Sequence, residues 1–134
     1  MSNLRILLVD DDSDVRLSIH DFLKHQYPDC AITEECDGEN LVASAEKARD
    51  AGEPFNLYFT DYDMPNLTGL EAVTTLRNKN DMTPVVFYTG DANEIIPHLT
   101  QLTHAYCAPK TCGVKRLKEI VETALASSSV MARH

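Results

Sequence analysis

Short apolar runs along the chain alternate with longer segments in which apolar residues recur every three or four positions. The runs favour buried β-strands, and the longer segments favour amphipathic helices. The predicted strands cover residues 5–9, 31–36, 55–60, 85–88 and 106–108. The clearest predicted helices lie near residues 13–25, 39–51, 69–78 and 114–125. Strands and helices therefore follow one another in alternation.

The segment between the last two predicted strands has the weakest helical pattern. Pro97 lies within it, lacks a backbone N–H and clashes with the preceding turn of a helix. We therefore expect a short helix that begins near Ile95, or a helix that is kinked there. Residues 127–134 have no apolar pattern and are predicted to form a flexible C-terminal tail, so the folded domain is expected to span residues 1–126.

This alternation favours one α/β domain with a doubly wound parallel sheet, because parallel strands need helical crossovers. In such a sheet, functional residues gather beyond the carboxyl ends of the strands. The polar residues that follow the predicted strand ends are Asp10, Asp11, Asp61, Asp63, Thr89 and Lys110. We expect these residues to lie at one edge of the sheet and to form the functional site.

The chain is acidic, with 12 Lys and Arg residues against 21 Asp and Glu residues and a formal net charge of −9. Without a block of basic residues, this charge disfavours direct binding of nucleic acid or of an anionic membrane surface. No apolar run approaches the roughly 20 residues that a membrane span needs. The first apolar run is too short for a signal peptide. We therefore expect a cytoplasmic protein.

The acidic residues at the predicted strand ends suit a hard divalent cation. Carboxylates from two strands repel one another unless a cation or a proton intervenes. Mg²⁺ prefers such oxygen ligands and often shares its shell with a phosphate. Lys110 and Thr89 could contact phosphoryl oxygens, and Asp61 could act as a nucleophile and form an aspartyl phosphate. No glycine-rich phosphate loop follows the first predicted strand, so a nucleotide site is not indicated.

Four motifs, in order and spacing, resemble those of the receiver domains of bacterial two-component response regulators. They are Asp10-Asp11 after an apolar strand, Asp61 followed by Met64-Pro65, Thr89-Gly90, and Lys110. The resemblance extends over residues 6–125 and implies the flavodoxin-like strand order 2-1-3-4-5, with helices on both faces of the sheet. It also implies a self-phosphorylating signalling domain rather than an enzyme that acts on a separate substrate.

By this resemblance, Asp61 accepts a phosphoryl group from the phosphohistidine of a sensor histidine kinase or a histidine phosphotransfer protein. Mg²⁺ is expected to bind the carboxylates of Asp11 and Asp61 and the carbonyl oxygen of Asp63. Asp10 is expected to act on the ion largely through water. The phosphorylated domain is then expected to regulate a downstream protein partner or an output domain.

The resemblance also assigns roles to Lys110, which pairs with the phosphoacceptor and then with the phosphoryl group, and to Thr89, which turns inward toward a phosphoryl oxygen. Among several departures from the family pattern, two lie close to the lysine. The aromatic residue that usually lies three positions before the lysine is Cys107 here, and strand alternation predicts that Tyr106 faces the other way. Pro109 precedes the lysine instead of a proline following it, which removes the usual reason for a cis peptide bond.

Two other functions fit parts of the pattern. Asp61 and Asp63 after an apolar strand also resemble the motif of haloacid-dehalogenase-type phosphatases, although in those enzymes this strand opens the domain and the acidic pair comes last. A receiver that binds partners without being phosphorylated is the second alternative, and Cys107 and Pro97 are compatible with it. Turnover of a phosphate ester would favour the first alternative, and a lack of phosphorylation would favour the second.

Overall fold

The computed structural model describes residues 4–132, with side chains as far as residue 127. Within this range the chain forms five strands and five helices. The strands are β1 (Arg5–Val9), β2 (Ala31–Glu35), β3 (Leu57–Thr60), β4 (Val85–Thr89) and β5 (Ala105–Pro109). The helices are α1 (Ser13–Gln26), α2 (Gly38–Asp50), α3 (Gly69–Arg77), α4 (Ala92–Leu102) and α5 (Val114–Ala132). This element order agrees with the one predicted from the hydrophobic pattern.

The strands are parallel and lie in the order β2-β1-β3-β4-β5, which confirms the predicted flavodoxin-like sheet. The register pairs Val9 with Thr60 and Thr89 with Pro109. The carboxyl ends of β1 and β3, and those of β4 and β5, are therefore level with each other. The residues that follow these four strands are consequently delivered to the same edge of the sheet.

Apolar side chains fill two cores, one on each face of the sheet. Along β3, Tyr58 packs on the face that α2, α3 and α4 cover, whereas Phe59 packs on the face that α1 and α5 cover. The strands β1, β3 and β4 are almost entirely buried, as expected for central strands of a parallel sheet that is covered on both faces. The sheet edge that carries the polar residues is thus supported by packed elements on both sides.

The helix α4 begins at Ala92, earlier than the predicted start near Ile95, and remains helical through Pro97. Asp91 caps this helix, because its carboxylate accepts a hydrogen bond from the backbone N–H of Asn93 at 3.1 Å. Pro97 removes one intrahelical hydrogen bond. The loss is offset by packing, since Ile95 is fully buried against the core. The predicted start near Ile95 is wrong because it weighed the proline without the cap, whereas the alternative of a kink there stays a prediction.

The helix α5 continues to Ala132, beyond the boundary at residue 126 that the sequence predicted. Residues 126–132 contain neither Gly nor Pro, so no residue in this stretch terminates the helix. Ser127 also contacts the rest of the domain, with its Oγ 2.6 Å from Nδ1 of His104. Residues 133 and 134 of the predicted tail lie outside the described residues.

Although α5 is the longest helix, no helix of the described range is both long and apolar enough to cross a membrane.

The start of α2 lies against the loop that follows β3, and Gly38 makes this contact possible. A Cβ atom on Gly38 would lie 2.1 Å from the carbonyl oxygen of Leu67 and 2.8 Å from its carbonyl carbon. These are backbone atoms, so the clash could not be relieved by a change of rotamer. The close approach of α2 therefore determines where the loop after β3 can lie.

We predict that Gly38→Ala destabilises the protein by about 1 to 3 kcal/mol, because relieving the clash requires a shift of backbone. This cost exceeds the roughly 0.5 to 1 kcal/mol that Ala contributes to a helix relative to Gly. Urea denaturation measures the change in the free energy of unfolding. Gly113→Ala is the matched control, since no neighbouring atom lies within 4 Å of a Cβ at that position. Equal effects of the two substitutions would contradict the prediction.

Candidate functional site

The acidic residues that follow β1 and β3 meet at the carboxyl edge of the sheet. The backbone N–H of Asp61 donates to the carbonyl oxygen of Val9 at 2.9 Å, so the two strands stay paired up to the point where the acids begin. The carboxylates of Asp10, Asp11 and Asp61 each place an oxygen within 4.8 Å of the others. Asp10 and Asp61 are buried, with exposures of 2% and 7%, whereas Asp11 is exposed. The structure thus brings together three of the predicted site residues.

Lys110 provides the positive charge beside these carboxylates. Its backbone N–H donates to the carbonyl oxygen of Thr89 at 2.7 Å, which anchors the residue at the end of β5. Its Nζ lies 3.5 Å from Oδ2 of Asp61 and 3.6 Å from Oδ2 of Asp10. One ammonium group is therefore shared between two buried carboxylates that come from different strands.

Burial and mutual repulsion shift the pKa values of these groups. Burial raises the pKa of Asp10 to about 6, with the Asp61 carboxylate adding to the rise and the N–H of Asp12 opposing it. Burial also raises the pKa of Asp61, against the opposing effect of the Lys110 ammonium. For Lys110, burial alone would lower the pKa, but the two carboxylates outweigh it and the net shift is upward. The site therefore favours additional positive charge.

Arg16 of α1 supports the site, and the sequence reasoning missed it. Its Nη1 donates to the carbonyl oxygen of Asp10 at 2.6 Å, and its Nε lies 3.3 Å from Oε1 of Glu34 on β2. The N–H of Asp10 in turn donates to the carbonyl oxygen of Glu35 at 3.2 Å, so the backbone of Asp10 is held on both sides. A cation in the first turns of a helix is unfavourable for the helix dipole, and its presence there could have indicated a nearby acidic partner.

The loop after Asp61 turns tightly around its carboxylate. The backbone N–H of Asp63 donates to Oδ1 of Asp61 at 3.4 Å, while the side chain of Asp63 is exposed and lies outside the carboxylate cluster. The loop closes where the N–H of Gly69 donates to the carbonyl oxygen of Tyr62 at 2.9 Å. A Cβ on Gly69 would lie 2.2 Å from the carbonyl oxygen of Asp61. Only a glycine at the start of α3 allows this geometry.

Thr89 lies at the end of β4 and is buried, with 3% exposure. Its hydroxyl oxygen accepts a hydrogen bond from the backbone N–H of Asp91 at 3.2 Å. Asp91 is also the residue that caps α4. The Thr89 side chain is therefore connected directly to the start of that helix.

The two residues near the position of the missing aromatic side chain face opposite ways. Cys107 packs with the core beneath α2, α3 and α4, whereas Tyr106 packs with the core beneath α1 and α5. This confirms the predicted alternation along β5. Every peptide bond between described residues is trans, including the one between Pro109 and Lys110.

The chemistry of the donor set fits a magnesium ion. Hard carboxylate oxygens from two strands converge within the span of one coordination shell, and a lysine beside them can interact with a phosphoryl oxygen. The arrangement is suited to phosphoryl transfer, which requires alignment and neutralisation of charge more than covalent assistance.

The sequence model of the response regulator receiver domain matches residues 6–122. The chain belongs to this family. This receiver is 30% identical over 129 residues to the response regulator protein PilR of Pseudomonas aeruginosa. The aligned region covers 93% of the chain and 27% of PilR. It is 32% identical over 88 residues to the two-component response regulator ORR41 of Oryza sativa subsp. japonica. This aligned region covers 66% of the chain and 67% of ORR41. Its fold matches that of the response regulator TrrA of Thermotoga maritima in complex with Mg(2+)-BeF, with a TM-score of 0.74, 22% identity and coverage of 90% and 98%.

These similarities identify the chain as the receiver domain of a two-component response regulator. The chain spans only 27% of the length of PilR. The phosphatase alternative is not favoured, since the family match extends over almost the whole chain.

We predict that, without Mg²⁺, Asp10→Asn stabilises the receiver at pH 7.5 and not at pH 4. The folded-state pKa of Asp10, about 6, lies above its ordinary value of 3.8. The folded protein therefore favours the neutral carboxyl of Asp10. The contribution of this group to stability is complete below its unfolded pKa and is lost as the pH rises through about 6, where the buried carboxyl ionises. The expected gain at pH 7.5 is about 1 to 3 kcal/mol.

Urea denaturation in the presence of EDTA at the two pH values measures this gain. Asp29→Asn, at an exposed position outside the cluster, is the control and should change stability by less than about 0.5 kcal/mol at both pH values. A gain of the same size at pH 4 and pH 7.5 would show that the ionisation of Asp10 is not its cause.

Proposed function

We propose that this receiver accepts a phosphoryl group on Asp61 from the phosphohistidine of a sensor histidine kinase or a histidine phosphotransfer protein. The observation that carries the proposal is the position of the Asp61 carboxylate, at a strand end beside both the Lys110 ammonium and the Asp10-Asp11 pair. In the transfer, a carboxylate oxygen of Asp61 forms a bond to phosphorus while the phosphorus–nitrogen bond breaks. The electron pair of that bond leaves with the imidazole nitrogen.

The carboxylates of Asp11 and Asp61 and the carbonyl oxygen of Asp63 would hold Mg²⁺, with Asp10 acting through water. When bound, the ion neutralises charge on the carboxylates and on the incoming phosphoryl group. The convergence of the carboxylates supports this ligand set. So does the structural similarity to TrrA, which is in complex with Mg(2+)-BeF.

Lys110 would exchange one of its carboxylate contacts for a phosphoryl oxygen. Its Nζ already lies near both Asp10 and Asp61, so the new contact requires a change of partner and little movement. A lysine is suited to this exchange because its ammonium is a compact charge on a flexible stem.

Thr89 would turn toward the phosphoryl group and donate its hydroxyl proton to an oxygen. Doing so would break its hydrogen bond from the N–H of Asp91, the residue that caps α4. In this receiver, with Cys107 in place of the aromatic residue, the change would therefore reach α4 through its N-terminal cap. The reshaped helix would then regulate a downstream protein partner or an output domain.

The receiver would act in the cytoplasm and bind protein partners. The only group that it phosphorylates would be its own Asp61 carboxylate. Its net charge of −9 disfavours direct contact with nucleic acid. DNA binding in the pathway would then belong to a partner or an output domain.

We predict that incubation with acetyl phosphate and Mg²⁺ adds one phosphoryl group to the receiver, and that Asp61→Asn abolishes the addition. Intact-mass spectrometry measures the product, and Asp29→Asn serves as a control that keeps the addition. Omission of Mg²⁺ is expected to slow the reaction strongly, because the converging carboxylates would remain uncompensated.

Two results would overturn the proposal. One is the absence of any mass gain together with the absence of Mg²⁺ binding, as expected of a receiver that only binds partners. The other is sustained release of p-nitrophenol from p-nitrophenyl phosphate, which would indicate a phosphatase.

A further inference from the structure

The Lys110 ammonium has a third neighbour, which is the aromatic ring of Tyr88. Its Nζ lies 5.8 Å from the centroid of that ring, within the range in which a ring face attracts a cation. Tyr88 belongs to β4 and directly precedes Thr89, but successive strand side chains point to opposite faces. Its ring therefore approaches the lysine from the side of the sheet that α1 and α5 cover.

The ring of Tyr88 is held in place by the core. It packs against Phe59, with ring centroids 5.4 Å apart and an interplanar angle of 47°. Both rings belong to the same hydrophobic core. Tyr88 and Lys110 also line a shallow groove against α1, together with Val15 and Ile19. The lysine thus extends along a wall that is fixed before any ligand binds.

The carboxylates alone hold the ammonium loosely. The distances from Nζ to Asp61 and Asp10 are 3.5 and 3.6 Å, longer than the 2.7 to 2.9 Å typical of strong charge-assisted hydrogen bonds. A lysine side chain has several rotatable bonds and loses much conformational freedom when it is fixed. The Tyr88 ring is placed to give Nζ a further contact beside the two acids.

We propose that Tyr88 is a positioning residue for Lys110, and that its ring face keeps the ammonium between Asp10 and Asp61, ready to contact the phosphoryl group. The part of this inference that concerns phosphorylation rests on the proposed function. The part that concerns the position of the lysine does not. The π-face of the ring carries the effect, so the hydroxyl group of Tyr88 is dispensable.

The first test measures the position of Lys110 without any phosphorylation. The receiver is treated briefly with an N-hydroxysuccinimide ester, and the modification of each lysine is quantified by mass spectrometry. We expect Lys110 to react about 3- to 10-fold faster in Tyr88→Leu than in the unchanged protein, and at the unchanged rate in Tyr88→Phe. Tyr106→Leu is the matched control, because Tyr106 is a partly buried tyrosine of the same core and should leave the rate at Lys110 unchanged.

The second test measures phosphorylation by acetyl phosphate and Mg²⁺. We expect Tyr88→Leu to slow the reaction about 3- to 10-fold, with Mg²⁺ affinity within about twofold of the unchanged protein, and Tyr88→Phe to restore the rate. If Tyr88→Leu does not fold, as judged by circular dichroism, Tyr88→Met replaces it, because it fills similar space without a π-face.

The outcomes separate this inference from the proposed function. If the unchanged protein is phosphorylated but Lys110 reacts equally in the Leu and Phe variants, Tyr88 does not position the lysine and the inference is wrong. If phosphorylation and Mg²⁺ binding are both absent, the proposed function fails, and the reactivity of Lys110 still decides whether Tyr88 positions it. A slowing that is equal in Tyr88→Leu and Tyr106→Leu would indicate a general loss of packing and would also overturn the inference.

Discussion

Repulsion among carboxylates dominates the electrostatics at the carboxyl edge of the sheet in this receiver. Parallel pairing of β1 with β3 places Asp10 and Asp61 side by side, and both are buried where water can do little to weaken their interaction. Such an arrangement is stable only beside positive charge. Lys110 supplies part of it, and a divalent cation would supply more. Under the proposed function, the same unfavourable interaction that costs stability in the free protein would favour the binding of Mg²⁺ and, with it, of a phosphoryl group.

A site under this repulsion needs a rigid frame, and the surrounding backbone provides it. Arg16 and the Glu35 carbonyl oxygen hold the backbone of Asp10 from two sides. Gly38 and Gly69 let α2 and α3 approach the loop that follows Asp61 more closely than any other residue would permit. The acids are therefore prevented from relieving their repulsion by moving apart. Their charge is available to a ligand because the fold restrains them.

Under the proposed function, the signal would take a route set by this receiver's own residues. The position of the usual aromatic partner of Thr89 holds Cys107, and Tyr106 lies on the other face of the sheet. The Thr89 hydroxyl is instead joined to Asp91, the cap of α4. A helix that contains Pro97 has already lost one internal hydrogen bond, so the start of α4 is a suitable place for a small rearrangement to produce a larger one.

The fold class could be predicted from the sequence alone, as could the strand order through family resemblance. The acids, the threonine and the lysine at the strand ends could also be named from it. Hydrophobic periodicity and short motifs are local, and in a parallel sheet they specify which residues share an edge. Local patterns misplaced the start of α4, which the Asp91 cap decides, and the end of α5, which continues to Ala132 through a stretch without Gly or Pro. Only the tertiary structure showed Arg16 on the Asp10 carbonyl and Tyr88 beside Lys110. Both contacts join residues from different elements, and their distances depend on how helices and strands pack, which the spacing of residues along one chain does not encode.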